Sequence, residues 1–146
     1  MRGFHRHPNG GGWVANTAQV AKTAYVGKYA VVRDKVRVQD NARIEDTARV
    51  ECDALVYGSA KVYGNALVYG NSEVFDNARV SGNAWVYSNA KVFGNAKVYG
   101  NAHVYNNALV FDNAQVYGTV LVYYAEVSGN AWVYGNAGLY AGYHTI

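Results

Sequence analysis

Few residues in this chain could do acid–base, nucleophilic or metal chemistry: His5, His7, His103, His144 and Cys52. A histidine titrates near neutrality and serves as a general base when a partner, usually a carboxylate, fixes its second ring nitrogen. His103 stands alone in the middle of the chain, and no carboxylate occupies the positions that would neighbour it. The simpler reading is an interface histidine, so no catalytic residue is assigned. His5 and His7 fall short of the three or four ligands of a zinc site, so no metal and no cofactor are expected. The single Cys52 excludes a disulfide framework and a cysteine cluster. No glycine-rich phosphate loop opens a helix, and no Ser-His-Asp or Cys-His arrangement stands out. What recurs instead is charge and aromaticity. Arg43, Lys61, Arg79 and Lys97 are spaced by eighteen, and so are Tyr69, Tyr87, Tyr105 and Tyr123.

That spacing comes from a shorter repeat. From Val14, steps of six land on a β-branched residue every time as far as Val122, with Ile44 the one substitution for Val. Two residues before each is a small residue, Ala from Ala18 onward apart from Val36, Ser72 and Val120. Between them lies a turn pair, Gly64-Asn65 or Asp76-Asn77 for example. Val favours strands, whereas Gly, Asn and Asp accept turn and left-handed backbone angles. The unit Val-Tyr-Gly-Asn-Ala-x therefore reads as a short strand and a corner. So short a strand must stack on copies of itself to bury its inner face. A corner every six residues predicts a three-sided coil of about 18 residues. The Val turns inward, and the Ala sits near the corner with no space for a larger group.

The expected organisation is a cap over residues 1–12, a β-helix of about seven coils over 13–141, and a C-terminal tail over 142–146. At about 4.8 Å per stacked strand the prism is roughly 34 Å long. After Val122 the step shortens to five, reaching Val127, which predicts a tightened corner. Segment 138–146 is expected to close the far end. The Asn rows (Asn65, Asn83, Asn101; Asn71, Asn89, Asn107; Asn77, Asn95, Asn113) are expected to hydrogen-bond from rung to rung.

Of the 146 residues, 51% are hydrophobic and 16% charged, with a net charge of +3. That small charge does not by itself call for nucleic acid. No apolar run long enough for a membrane span occurs. The polar, His- and Gly-rich start lacks the apolar stretch of a signal peptide, so a cytoplasmic protein, or a virion assembled inside a cell, is expected.

The Val-Tyr-Gly-Asn-Ala-x pattern resembles the hexapeptide-repeat superfamily. The resemblance covers nearly the whole chain and implies an all-β, single-stranded left-handed parallel β-helix; the hand comes from the family alone. With Asn9 to Trp13 (Asn-Gly-Gly-Gly-Trp) ahead of the repeats, the chain is similar to bacterial and phage proteins, some labelled putative acyltransferases by fold. A phage or prophage setting follows as an expectation, with the chain a particle component or an inhibitor of a host protein. Superfamily members commonly form trimers of parallel prisms. Its acyltransferases place a histidine between subunits and bind acyl-coenzyme A along the prism, often beside a loop extruded from a corner. His103 stands where the resemblance puts such a base, but the period runs unbroken from Val14 to Val122, leaving no extruded loop. The three-histidine zinc set of the carbonic-anhydrase-like members is missing.

Sorting outward positions by eighteen gives three faces. The first carries Leu67, Trp85, His103 and Leu121 beside Tyr69, Tyr87, Tyr105 and Tyr123. The second carries Arg37, Leu55, Glu73, Lys91 and Leu109 beside Tyr57, Phe75, Phe93 and Phe111. The third is the basic row Arg43, Lys61, Arg79 and Lys97 beside Glu45, Tyr63, Ser81, Tyr99 and Tyr117. Cross-strand aromatic pairs stabilise sheets, but a large apolar patch more often marks an interface. The first face, with Phe75, Phe93 and Phe111, is therefore expected to hold a homotrimer together or to bind another protein. For the basic row, phosphate binding competes with a solvated face, which Glu45 and the small net charge favour. The leading expectation is a non-enzymatic structural or protein-binding module; the alternative is a coenzyme-A-dependent acyltransferase using His103.

The reading predicts a far-ultraviolet circular dichroism spectrum of strand type with no helical minima, and a helical spectrum would end it.

Overall fold

The computed structural model describes residues 1–145. Among them every regular element is a strand, most of two residues that begin one residue before a repeat aliphatic: Lys61–Val62, Leu67–Val68, Glu73–Val74. Every third strand pairs in parallel, so the chain winds into a three-sided β-solenoid of about seven turns, with sheets of nine, seven and eight strands. Register is strict. Lys61 lies over Arg43 and under Arg79, and Val62 over Ile44 and under Val80.

The rungs are joined by one repeated hydrogen bond, from an N–H to the carbonyl seventeen residues on, as from Lys61 to Ala78 (2.9 Å) and from Tyr63 to Val80 (3.0 Å). Corners take part too, since Asn77 N–H donates to the Gly94 carbonyl at 2.9 Å.

The core is a column of Val and Ala. From Ala24 to Val127 nearly every inward residue is wholly buried. Each buried valine contributes roughly 1.5–3 kcal/mol. The Ala position is roomier than its composition predicts. Val36 and Val120 occupy it with no exposure, because Ala18 and Ala54, or Ala102 and Ala137, lie on the rungs on either side and leave the volume. Ser72 is buried there as well, its hydroxyl donating to the Tyr69 carbonyl at 2.8 Å.

The corners obey a rule that the Gly-Asn and Asp-Asn alternation conceals. The residue after the outward aromatic takes a left-handed backbone at Gly58, Asp76 (φ 57°), Gly94 and Asp112 (φ 58°), among many others. Along one edge of the prism these residues alternate: Asp40, Gly58, Asp76, Gly94, Asp112, Gly129. Each Asp carboxylate accepts the N–H of the glycine one coil on, at 3.0, 3.1 and 3.0 Å. Asp34 and Asp46 do the same for Cys52 and Gly64 at 2.9 Å. Two of the three Asn rows bond as expected, Asn83 to Asn101 at 3.2 Å and Asn95 to Asn113 at 3.3 Å. Asn71, Asn89 and Asn107 make no such amide bonds among the described residues.

At the N-terminal end, Phe4–Arg6 pairs antiparallel with Trp13–Ala15. The connection lies under the first strand of a second sheet, with Val26 N–H donating to Asn9 O (3.0 Å) and Gly12 N–H to Val26 O (2.9 Å). The Ala24 carbonyl accepts from His7 Nε2 at 2.9 Å and Asn9 Nδ2 at 3.0 Å. A β-carbon on Gly12 would fall 2.3 Å from the Gly27 carbonyl oxygen, so only glycine permits the approach. Arg6 closes the hairpin by stacking on Trp13, 3.7 Å from the ring centre. At the far end, segment 138–145 adds rungs instead of folding across: Gly138–Leu139 continues one sheet and Gly142–Thr145, in the stretch read as a tail, pairs with Ala125–Ser128. The five-residue step is absorbed at Tyr124 (φ 53°), followed directly by buried Ala125, and the register shortens to Leu109 under Glu126.

Val92→Ala should keep the fold and lower unfolding free energy by roughly 2 kcal/mol in denaturant melts. Val92→Asp places an unpartnered carboxylate in the column and should abolish the cooperative transition.

Candidate functional site

On the first face the strand Leu67–Val68 pairs with Trp85–Val86, that with His103–Tyr105, and that with Leu121–Tyr123. Strict register sets like side chains over one another. Tyr69, Tyr87 and Tyr105 stack at 4.9 Å with planes within 6°. Tyr123 continues at 5.0 Å but tilted. Beside them Trp85 lies on His103 at 4.8 Å and meets Tyr69 and Tyr87 edge-on. All the predicted residues of this face thus come together, but the rings cover one another's faces. Only Trp85, 40% exposed, stands well out of the surface; Leu67, Tyr69, Tyr87, His103, Tyr105, Leu121 and Tyr123 are half-buried.

Burial sets the chemistry of this stripe. It pushes the Tyr69, Tyr87 and Tyr105 phenols above their usual range, with neighbouring phenols adding to the effect at Tyr87 and Tyr105. It holds the His103 imidazole below the usual histidine value. The ring is therefore neutral at physiological pH, and its nitrogens have no hydrogen-bond partner among the described residues. A neutral imidazole can accept a proton, but nothing here fixes its tautomer.

The second face carries the most regular stack. Tyr57, Phe75, Phe93 and Phe111 follow at 4.8, 4.9 and 4.8 Å with planes within 3°, all half-buried. Lys91 pairs with Glu73 on the adjacent rung at 3.5 Å.

The basic row is in register as well, Arg43 under Lys61, Arg79 and Lys97. Arg43 is committed, pairing with Glu45 and lying 4.1 Å from the centre of the Tyr25 ring. Lys61, Arg79 and Lys97 have no carboxylate within ion-pair distance among the described residues.

The remaining candidates are dispersed. His7 is buried in the cap, whereas His5 bonds Asn16 at 2.8 Å. His144 pairs with Val127 in the last coil, and Cys52 is exposed at a corner. No group of three metal-ligating side chains converges among the described residues, and no helix is long and apolar enough to cross a membrane. The three faces do not include a group of highly exposed aromatics, Trp132, Tyr134, Tyr140 and Tyr143, which ring the last coil at 60–80% exposure. Their position is the signal: they occupy outward slots at the end of the stack, where little follows to cover them.

A family model described as the YdcK β-solenoid repeat matches residues 60–72 and 74–88. The chain is thus similar to a β-solenoid repeat family across the coils that carry Trp85, Tyr87 and the middle of the basic row. No curated protein and no solved structure matches it.

A lowered histidine pKa has a sign. The unfolded chain binds the proton more readily, so stability falls as pH drops through the ordinary value of 6.5. His103→Gln should flatten part of that acid-side loss in thermal melts taken across pH 5–8 and leave the neutral-pH midpoint nearly unchanged.

Proposed function

We propose that this β-solenoid is a non-enzymatic structural and protein-binding module that assembles through its tryptophan–tyrosine face, with a parallel homotrimer as the assembly. One observation carries the reading: from Leu67 to Tyr123 the outward slots of that face hold only Leu, Trp, Tyr and a neutral His, with Trp85 standing out at its centre. Charge depletion around an aromatic anchor is the composition of an interface core. The face is also straight and rigid, because each ring rests on another, so little side-chain entropy is lost on docking. The Phe75, Phe93 and Phe111 stack would extend the contact around the corner or meet a second protein. In a phage or prophage setting such a prism would serve as a particle component or as an inhibitor docking on a host protein.

A second reading is a coenzyme-A-dependent acyltransferase of the hexapeptide-repeat type, with His103 as base. The neutral, half-buried imidazole favours it; the lack of an orienting carboxylate weighs against it.

Light scattering behind size exclusion should return three times the chain mass. Trp85→Glu with Tyr87→Glu should give a folded monomer, whereas an unchanged mass would remove this face from the assembly. His103→Ala should leave assembly and partner binding intact; loss of an acetyl-transfer activity with assembly intact would favour the enzyme.

A further inference from the structure

The slot after each repeat valine forms one aromatic row per face. In the central coils two rows are filled, Tyr57, Phe75, Phe93, Phe111 and Tyr69, Tyr87, Tyr105, Tyr123. The third, on the basic face, runs Tyr63, Ser81, Tyr99, Tyr117, Tyr134. Ser81 is the one small residue in the three rows with a ring on the rung below and a ring on the rung above. Tyr99 and Tyr117 stack at 4.8 Å, and Tyr117 and Tyr134 at 5.4 Å. Tyr63 and Tyr99 lie two rungs apart, about 9.6 Å. One ring is missing, and its place is a cavity of about 250 Å³ lined by Tyr63, Arg79, Ser81, Lys97, Tyr99 and Gln115.

Both walls and rim are defined. Tyr99 is held from above, stacked on Tyr117 and donating from its hydroxyl to Gln115 Oε1 at 3.2 Å. A flat ring entering the slot would lie about 4.8 Å by centroid from each tyrosine, the spacing the protein uses elsewhere. Arg79 is on the same rung as Ser81, Lys97 one above and Lys61 one below, all unpaired among the described residues, while the nearest carboxylate on this face, Glu45, is occupied by Arg43.

We infer that the Ser81 gap is an intercalation site for a nucleotide, its base sandwiched between Tyr63 and Tyr99 and its phosphate on Arg79 and Lys97. Base–aromatic stacking tolerates any base because every base has a π-face, and a planar guanidinium suits a phosphate. The size of the cavity limits the site to one ring system. It lies on a different face from the proposed interface, so either can fail alone.

Adenosine 5′-monophosphate, adenosine and inorganic phosphate should be titrated against the full chain by calorimetry at low salt. The monophosphate should bind more tightly than either fragment, and raised salt should weaken it. Ser81→Tyr fills the slot with the ring of the neighbouring rungs; it should retain the strand spectrum and lose binding at least tenfold. Tyr63→Ala removes one wall and should lose binding comparably, which keeps the test sound if the first variant misfolds. Arg79→Gln with Lys97→Gln should reduce the monophosphate to the affinity of adenosine. No binding at millimolar monophosphate, equal binding by Ser81→Tyr, or phosphate binding as tightly as the monophosphate would each overturn the inference. A short oligoadenylate distinguishes the source: a tenfold gain supports a slot that reads one base of a strand, and equal affinity supports a slot for a free nucleotide.

Discussion

Everything in this molecule depends on one hydrogen bond made again and again, from an N–H to the carbonyl seventeen residues further along. The bond closes a coil and at the same time sets the register, so each residue rests on the residue eighteen away. A side chain therefore has two neighbours of the same slot, one above and one below, and slot identity becomes a packing requirement. Valine on valine builds the buried column. Ring on ring gives parallel stacks near 4.8 Å between centroids, a spacing fixed by the strands and within the range favoured by offset aromatic pairs.

The same constraint explains the corners. A left-handed residue is needed once per side, and glycine supplies it at the least steric cost. Asp accepts the strain because its short carboxylate finds a backbone N–H one coil on. Along the edge from Asp40 to Gly129 the two solutions alternate, so every Asp reaches a glycine. The chain start deals with the opposite difficulty, a sheet edge lacking partners. His7, Asn9 and Gly12 supply donors and acceptors to Ala24 and Val26, and the glycines let backbone meet backbone. The histidine there is a structural donor to the Ala24 carbonyl, whereas the His103 ring has no hydrogen-bond partner among the described residues.

The stacking that creates the aromatic faces also limits what they offer. Rings laid on rings hide most of their area, so the surface available to a partner narrows to the edges and to Trp85. A break in a stack has the opposite effect: Ser81 exposes the faces of two tyrosines where an unbroken row would expose none. In a repeat protein the departures from the repeat are therefore where binding chemistry concentrates, and here the departure lies among cations with no carboxylate to pair with.

The six-residue period, the inward Val and Ala, the three faces and their membership were determined by the sequence alone, because they follow from counting once the strand and corner preferences are known. The residues of each candidate face could be named before any coordinate, since stacking by eighteen is arithmetic. The tertiary structure decided what arithmetic does not carry. How far each ring is covered depends on side-chain packing across rungs, which turned an expected open patch into half-buried stacks. Val36 and Val120 fit the small slot because alanine neighbours leave volume there, a property of three rungs together. Asn71, Asn89 and Asn107 share the spacing of the bonded rows yet make no amide bonds among the described residues, a difference that spacing does not carry. The carboxylate caps of Asp40, Asp76 and Asp112 needed the atoms of two successive coils, and so did the empty place at Ser81, which is a cavity only because Tyr63 and Tyr99 stand on either side of it.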